Sequence, residues 1–205
     1  MAGGKGERMN SGEKPLALLK GKPLIAYVVD TLLRCESIGH IYVAVSPWTP
    51  GTGSLLEKEY GSTGKVSVHL TPGAGYVEDT AFAVKAIELF KPFLIISSDV
   101  PLVKPETVDT IVEMYEKTGS EALSVRVERA FVPSGVSTDT ILIDNGIENV
   151  PAAINILDGR HMDRYQNEFV YIMQDPLLAA NVNYMKDLSV CERLLSESRL
   201  NSRFQ

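Results

Sequence analysis

Short β-branched runs and amphipathic segments take turns along the chain, and this alternation limits the fold more than any other feature. "HIYVAVS" (40–46), "KVSVHL" (65–70) and "PFLIISSD" (92–99) have the length and branching of strands, the last reading as buried on both faces. Before them, "KPLIAYVVDTLLRC" sets Leu24, Ile25, Val28, Val29, Leu32 and Leu33 on one helical face, with Pro23 suited to the first turn. "YVEDTAFAVKAIELF" (76–90) is amphipathic, and "KPETVDTIVEMYEKTG" (104–119) has Pro105 in its first turn and Gly119 past its end. Strands separated by helices predict an α/β fold with a mostly parallel central sheet flanked by helices. The pattern then turns α+β. "ALSVRV" (122–127) is a strand, and "TILIDNGIENVPAAINILDG" reads as two strands joined at a hairpin signal, Asn145-Gly146. "EFVYIM" and "PLLAANVN" read as extended before a last helix, "MKDLSVCERLLSES". With no linker, low-complexity tract or repeat, residues 1–205 read as one domain.

The chain opens on "MAGGKGERMNSGEKP". A glycine-rich cationic loop normally hangs from the end of a strand, yet no strand precedes this one. Its glycines let successive backbone N–H groups turn inward as an anion-binding nest. Lys5, Arg8 and Lys14 supply charge for phosphate oxygens, Arg8 bidentately. "GKGERM" has Met9 where a dinucleotide fingerprint needs its third glycine, and it lacks the Gly-Lys-Ser/Thr ending of an NTPase P-loop. A net charge of −6 opposes a nucleic-acid surface. Even so, five of the twenty Lys and Arg fall in the first 22 residues, which points to a small anionic ligand. No apolar run approaches the roughly 18 residues of a membrane span, and "MAGGKG" has no signal-type apolar region. Cys35 and Cys191 lie far apart without metal spacing and read as free thiols. These features predict a cytoplasmic protein.

Asp99 closes the buried run "IISSD", where open α/β sheets bind ligands, and its hard oxygens suit Mg²⁺ held against a triphosphate. A turn cap is the bland alternative. "TPGAGYVED" brings a glycine-rich turn to a helix start. There Glu78 or Asp79 either accepts from a base or ribose or simply opposes the helix dipole. His40, His69 and His161 have no ligand spacing and read as structural or solvated, and Trp48 reads as loop packing rather than a stacking platform.

"AGGKGERM", Lys14-Pro15 and "LLKGKPLIAYVV" resemble the nucleotidyltransferase superfamily that includes MobA-like enzymes, and imply its Rossmann-like fold. Over nearly the whole chain, "GAGYVED", "PFLIISSD", "VPAAIN" and "NVNYMKDL" resemble the archaeal GTP:adenosylcobinamide-phosphate guanylyltransferase family. That resemblance implies transfer of GMP from GTP to adenosylcobinamide phosphate, or a related phosphorylated acceptor, with release of pyrophosphate in cobalamin biosynthesis. It implies nucleotide or phosphate contacts for Gly3, Gly4, Lys5, Gly6, Arg8 and Lys14, and nucleotide-site roles for Gly75 and Asp79. Mg²⁺ on Asp99 would have Asn183 as its second ligand; the alternative for Asn183 is to cap the helix beginning near Lys186.

Two departures from the family stand out. Ala153 replaces a common glycine in "VPAAIN", and relatives carry about five apolar residues before "MAGG" as a central first strand. Codons upstream of Met1 are the expected source of that strand. A molybdenum-cofactor guanylyltransferase and a non-catalytic nucleotide-binding domain remain alternatives. A homo-oligomer is compatible with the sequence.

Overall fold

A computed structural model describes residues 1–6, 9 and 12–201. Two short antiparallel strands, β1 (Leu18–Leu19) and β2 (Lys22–Pro23), turn through Lys20 and Gly21, both at positive φ. Pro23 then caps α1 (Leu24–Leu32), which buries the apolar face read from the sequence. There follow β3 (Ile41–Val45), α2 (Pro50–Tyr60), β4 (Val66–Leu70), α3 (Tyr76–Ala86), β5 (Pro92–Ile96) and α4 (Pro105–Thr118). The second half contributes β6 (Ala122–Glu128), β7 (Leu142–Asp144), β8 (Ile147–Asp158), β9 (Glu168–Met173) and α5 (Met185–Asn201). No helix among the described residues is long and apolar enough to cross a membrane.

The α/β class holds, with a mixed rather than mostly parallel sheet. β3 and β4 pair in parallel, as do β6 and β9. β8 inserts between β5 and β6 and runs antiparallel to both, and β7 folds back on it through Asn145-Gly146. Between β3 and β5 lies the amino terminus itself. The Met1 nitrogen donates to the Ile96 carbonyl at 2.7 Å, and Ser98 N donates back to the Met1 carbonyl at 3.0 Å. On the other side Ala2 N donates to the Ala44 carbonyl at 2.9 Å. Residues 1 and 2 are thus bonded by their backbone to the ends of both β3 and β5, and the opening loop continues from there.

Two segments differ from the sequence reading. α2 forms over "PGTGSLLEKEY", a segment to which the sequence reading assigned no element. "PLLAANVN" is a chain of turns rather than extended, burying Leu178, Ala179, Ala180 and Val182 in the protein interior. Val182 N donates to the Asp99 carbonyl at 2.9 Å, which brings the following residue, Asn183, to the end of β5. In β8 the pairing with β6 shifts register, and within that stretch Ala153 has φ 57° while its carbonyl accepts from Ser97 N at 3.0 Å.

Candidate active site

Met1 and Ala2 lie at the carboxyl edge of β3 and β5, where Asp99 also emerges, so the loop and the acid meet at the ligand-binding edge of the sheet. Gly3 packs onto β3's exit. Its carbonyl accepts from Ser46 Oγ at 2.7 Å, and a Cβ there would lie 3.1 Å from Ser46 Cβ and 3.3 Å from its backbone nitrogen. Gly4 faces open space, and Gly6 takes φ 65°, a left-handed turn that favours glycine.

The far arm of the loop is fixed by Glu13, a residue the sequence reading passed over. Its carboxylate accepts from Gly51 N at 2.7 Å and from Thr52 N and Thr52 Oγ1, each at 2.6 Å. Those are donors of α2's first turn, so an acid distant in sequence caps this helix. Lys14 follows immediately. Its ammonium lies 2.5 Å from Asp99 Oδ2 and 3.2 Å from Asn183 Oδ1. Asn183 is held in turn by Asp187, a buried carboxylate in the first turn of α5. Asp187 accepts from Asn183 N and Tyr184 N, each at 2.8 Å, and from Ser137 N and Oγ of a neighbouring loop. The backbone nitrogen of Asn183 thus serves helix capping by Asp187, while its side-chain oxygen turns toward Asp99 and Lys14.

Across the cleft, Gly73, Ala74 and Gly75 approach α3. Asp79 Oδ1 accepts from Gly73 N at 2.9 Å and Ala74 N at 3.2 Å, so this buried carboxylate shapes the turn. Trp48 stands half-exposed beside it, its indole nitrogen 3.4 Å from the Gly73 carbonyl and the Lys5 ammonium 4.9 Å from its ring centre. Burial pushes the Tyr76 phenol up; a hydrogen bond with Asn155 opposes this and the Asp99 charge adds to it.

Together these residues enclose about 540 Å³, a volume suited to a nucleotide. Gly3, Gly4, Lys5, Gly6, Lys14, Gly75, Asp79, Asp99 and Asn183 all line it. Arg8 lies outside the described residues. Trp48, Tyr76 and Ser98 line it without having been singled out for it; their signal is placement beside glycine turns or a strand end. Of the other early cations, Lys22 pairs with Asp30 at 2.5 Å and Lys20 donates to Ser196 Oγ, both away from the cleft. His40, His69 and His161 do not line it.

The donor chemistry here fits a hard cation. Asp99 Oδ1 is buried with no hydrogen-bond partner among the described residues, and the amide oxygen of Asn183 and the other Asp99 oxygen already share a cationic partner, Lys14. No group of three or more His, Cys, Asp or Glu is placed to hold a metal among the described residues. Were an ion held by Asp99 and Asn183, most of its coordination positions would fall to ligand oxygens and water.

Comparison with known proteins agrees with this geometry. The chain is 34% identical over 200 residues to the adenosylcobinamide-phosphate guanylyltransferase of Methanocaldococcus jannaschii, covering 98% of this chain and 97% of that protein. It is 30% identical over 132 residues to a probable molybdenum cofactor guanylyltransferase of Thermococcus gammatolerans, covering 64% and 63%. Among solved structures, CMP:2-keto-3-deoxy-manno-octonic acid synthetase complexed with CTP shares the fold at TM-score 0.65 and 14% identity, over 91% of this chain and 92% of that one. HddC from Yersinia pseudotuberculosis does so at TM-score 0.65 and 16% identity, over 94% and 96%. The family of the MobA-like NTP transferase domain matches residues 1–198, and the chain belongs to that nucleotidyltransferase family.

Proposed function

We propose that this chain transfers GMP from GTP to adenosylcobinamide phosphate, or to a closely related phosphorylated acceptor, and releases pyrophosphate. The observation that carries this reading is the meeting of Lys14, Asp99 and Asn183 at the mouth of a cleft walled by the opening glycine loop. The likeness to the M. jannaschii protein over nearly the full length of both chains supports the choice of nucleotide and acceptor.

In this reading the loop amides from Gly3 to Gly6, with Lys5 and Arg8, hold the β- and γ-phosphates as they become the leaving group. Gly75 and the turn braced by Asp79 receive the nucleoside. Asp99 and Asn183 would hold Mg²⁺, which when bound neutralises the triphosphate and polarises the α-phosphate. Lys14 reaches the reacting phosphorus and stabilises charge developing there. An acceptor phosphate oxygen attacks the α-phosphorus in line, the bond to the β-phosphate oxygen breaks, and pyrophosphate departs with that electron pair. A phosphate monoester has its second pKa near 6, so the nucleophile is ionised at neutral pH and no protein base has to take a proton.

The test is a panel of nucleoside triphosphates with adenosylcobinamide phosphate and with the molybdenum-cofactor acceptor, followed by pyrophosphate release. GTP with the corrinoid should be the productive pair, with a single-turnover rate flat from pH 7 to 9. Asp99→Ala should lose turnover far more than GTP affinity. Turnover with the molybdenum-cofactor acceptor alone reassigns the chain within its family. Tight GTP binding with no turnover on either acceptor makes it a nucleotide-binding module.

A further inference from the structure

Trp48 is the only tryptophan in the chain, and it stands half-exposed on the wall of the cleft although its backbone is firmly held. It sits in a tight turn that leaves β3. Thr49 N donates to the Ser46 carbonyl at 2.9 Å, and Ser46 N donates to the hydroxyl of the fully buried Thr49 at 3.1 Å. The Ser46 hydroxyl accepts from Trp48 N at 3.1 Å while it donates to the Gly3 carbonyl at 2.7 Å. One side chain therefore ties the turn that carries Trp48 to the opening glycine loop. The ring is fixed from the other side as well. Its Nε1–H donates to the Gly73 carbonyl at 3.4 Å, and Gly73, at φ 74°, comes so near that a Cβ there would lie 2.7 Å from that nitrogen. An exposed aromatic side chain held at both ends presents its face at a set position.

That face carries Lys5. The ammonium lies 4.9 Å from the ring centre, within the roughly 6 Å over which a cation is drawn to an indole, and Lys5 lines the cleft as well. A lysine on a glycine loop ordinarily keeps many rotamers, and fixing its stem is a cost that ligand binding has to meet. Against Trp48 that cost is met within the protein. An ammonium has three N–H donors, so one side can rest on the ring while the others turn to phosphate oxygens. We propose that Trp48 is a positioning residue for Lys5, preorganising its ammonium for the terminal phosphates of a nucleoside triphosphate and so favouring triphosphate over monophosphate. The proposal rests on the reading that the opening loop receives the β- and γ-phosphates. Trp48 acts through Lys5 and need not touch the nucleotide, and Gly73 anchors the ring.

The test uses the full chain with Mg²⁺, titrated in a calorimeter with GTP, inorganic tripolyphosphate and GMP. Trp48→Leu should weaken GTP and tripolyphosphate about two- to fivefold and leave GMP unchanged, while Trp48→Phe, which keeps an aromatic face, restores most of the loss. In a Lys5→Met background the same Trp48→Leu change should have no further effect, because the two side chains act as one unit. The unsubstituted protein gives an independent readout. Its single tryptophan should change emission when tripolyphosphate binds, and at saturation the change should vanish in Lys5→Met. Equal weakening of GMP and GTP by Trp48→Leu overturns the proposal and makes Trp48 packing for the Gly73 turn. Losses that multiply in the double variant also overturn it, and so does parent-like GTP affinity in Trp48→Leu. Bound tripolyphosphate with unchanged emission in the parent refutes it even where the leucine variant fails to fold, and leaves the transferase reading standing. A parent that binds neither GTP nor tripolyphosphate removes that reading and the proposal with it.

Discussion

Ala153 offers the sharpest test of the backbone described here. It carries a Cβ at φ 57° within the irregular stretch of β8, where its carbonyl holds Ser97 N next to the cleft's Ser98 and Asp99. The left-handed region costs a residue with a Cβ about 1–2 kcal/mol relative to glycine. Ala153→Gly removes that strain but returns about 0.4–1 kcal/mol through a freer unfolded chain. It also gives up some contact of a half-buried methyl with the core. The net expectation is a gain of about 0.5 kcal/mol, or 1–2 °C in Tm for a chain of this size. Ala153→Val meets the same φ with a β-branched side chain and should lose about 1–3 kcal/mol. Urea titration of the three proteins reads the order glycine, alanine, valine from most to least stable. Ala153 does not line the cleft, so the strain belongs to folding, and the glycine variant should keep GTP affinity within about twofold of the parent. A glycine variant less stable than the parent, or a valine variant equal to it, refutes the strain. A large change in GTP affinity at unchanged stability refutes the placement.

Other perturbations follow from the same geometry. Desolvation, opposed by Asp99, lowers the Met1 ammonium from 8.0 to about 6 in the folded chain. The unfolded chain then binds more protons across that window, so stability should rise from pH 6 to 8 by at most roughly 2–3 kcal/mol. Urea titrations should find this slope flattened by acetylation of the α-amino group, and a flat profile in the unacetylated protein contradicts the burial. Glu13→Gln keeps the shape but removes the charge that caps α2, and should cost about 1–2 kcal/mol in urea titration while raising KM for GTP through a looser Lys14 arm. Burial raises the Cys35 thiol to about 11, helped by the nearby Asp109 charge, and the Cys191 thiol to about 12, helped by Asp187. Iodoacetamide at pH 7.5 should therefore leave both unlabelled in the folded protein and react with both in denaturant, as mass spectrometry would show.

Much of the first half was legible because its signals are local. The strands at 41–45, 66–70 and 92–96 and the helices α1, α3 and α4 follow apolar periodicity within a few residues of the expected bounds. α2 was not legible, because the force that starts it comes from elsewhere. Pro50 and two glycines look like a turn until the Glu13 carboxylate, brought from the opening loop, satisfies the amides of Gly51 and Thr52. The mixed character of the sheet was hidden for a similar reason. Nothing inside "VPAAINILD" records that it will slide between β5 and β6. In the cleft, Asp99 was legible from its place after a buried strand, and Asn183 through family resemblance. Their convergence on Lys14 depends on contacts spanning 85 and 169 residues, which no local pattern encodes.

That convergence means the carboxylate at the end of β5 comes with a tethered counter-ion. On the proposed reading, a divalent ion arriving alone would have to displace an ammonium seated 2.5 Å from Asp99 and would gain only the difference between one cation and another. A triphosphate entering with its metal would instead offer Lys14 a new anionic partner. The ion pair would then favour admitting nucleotide and metal together over either one alone.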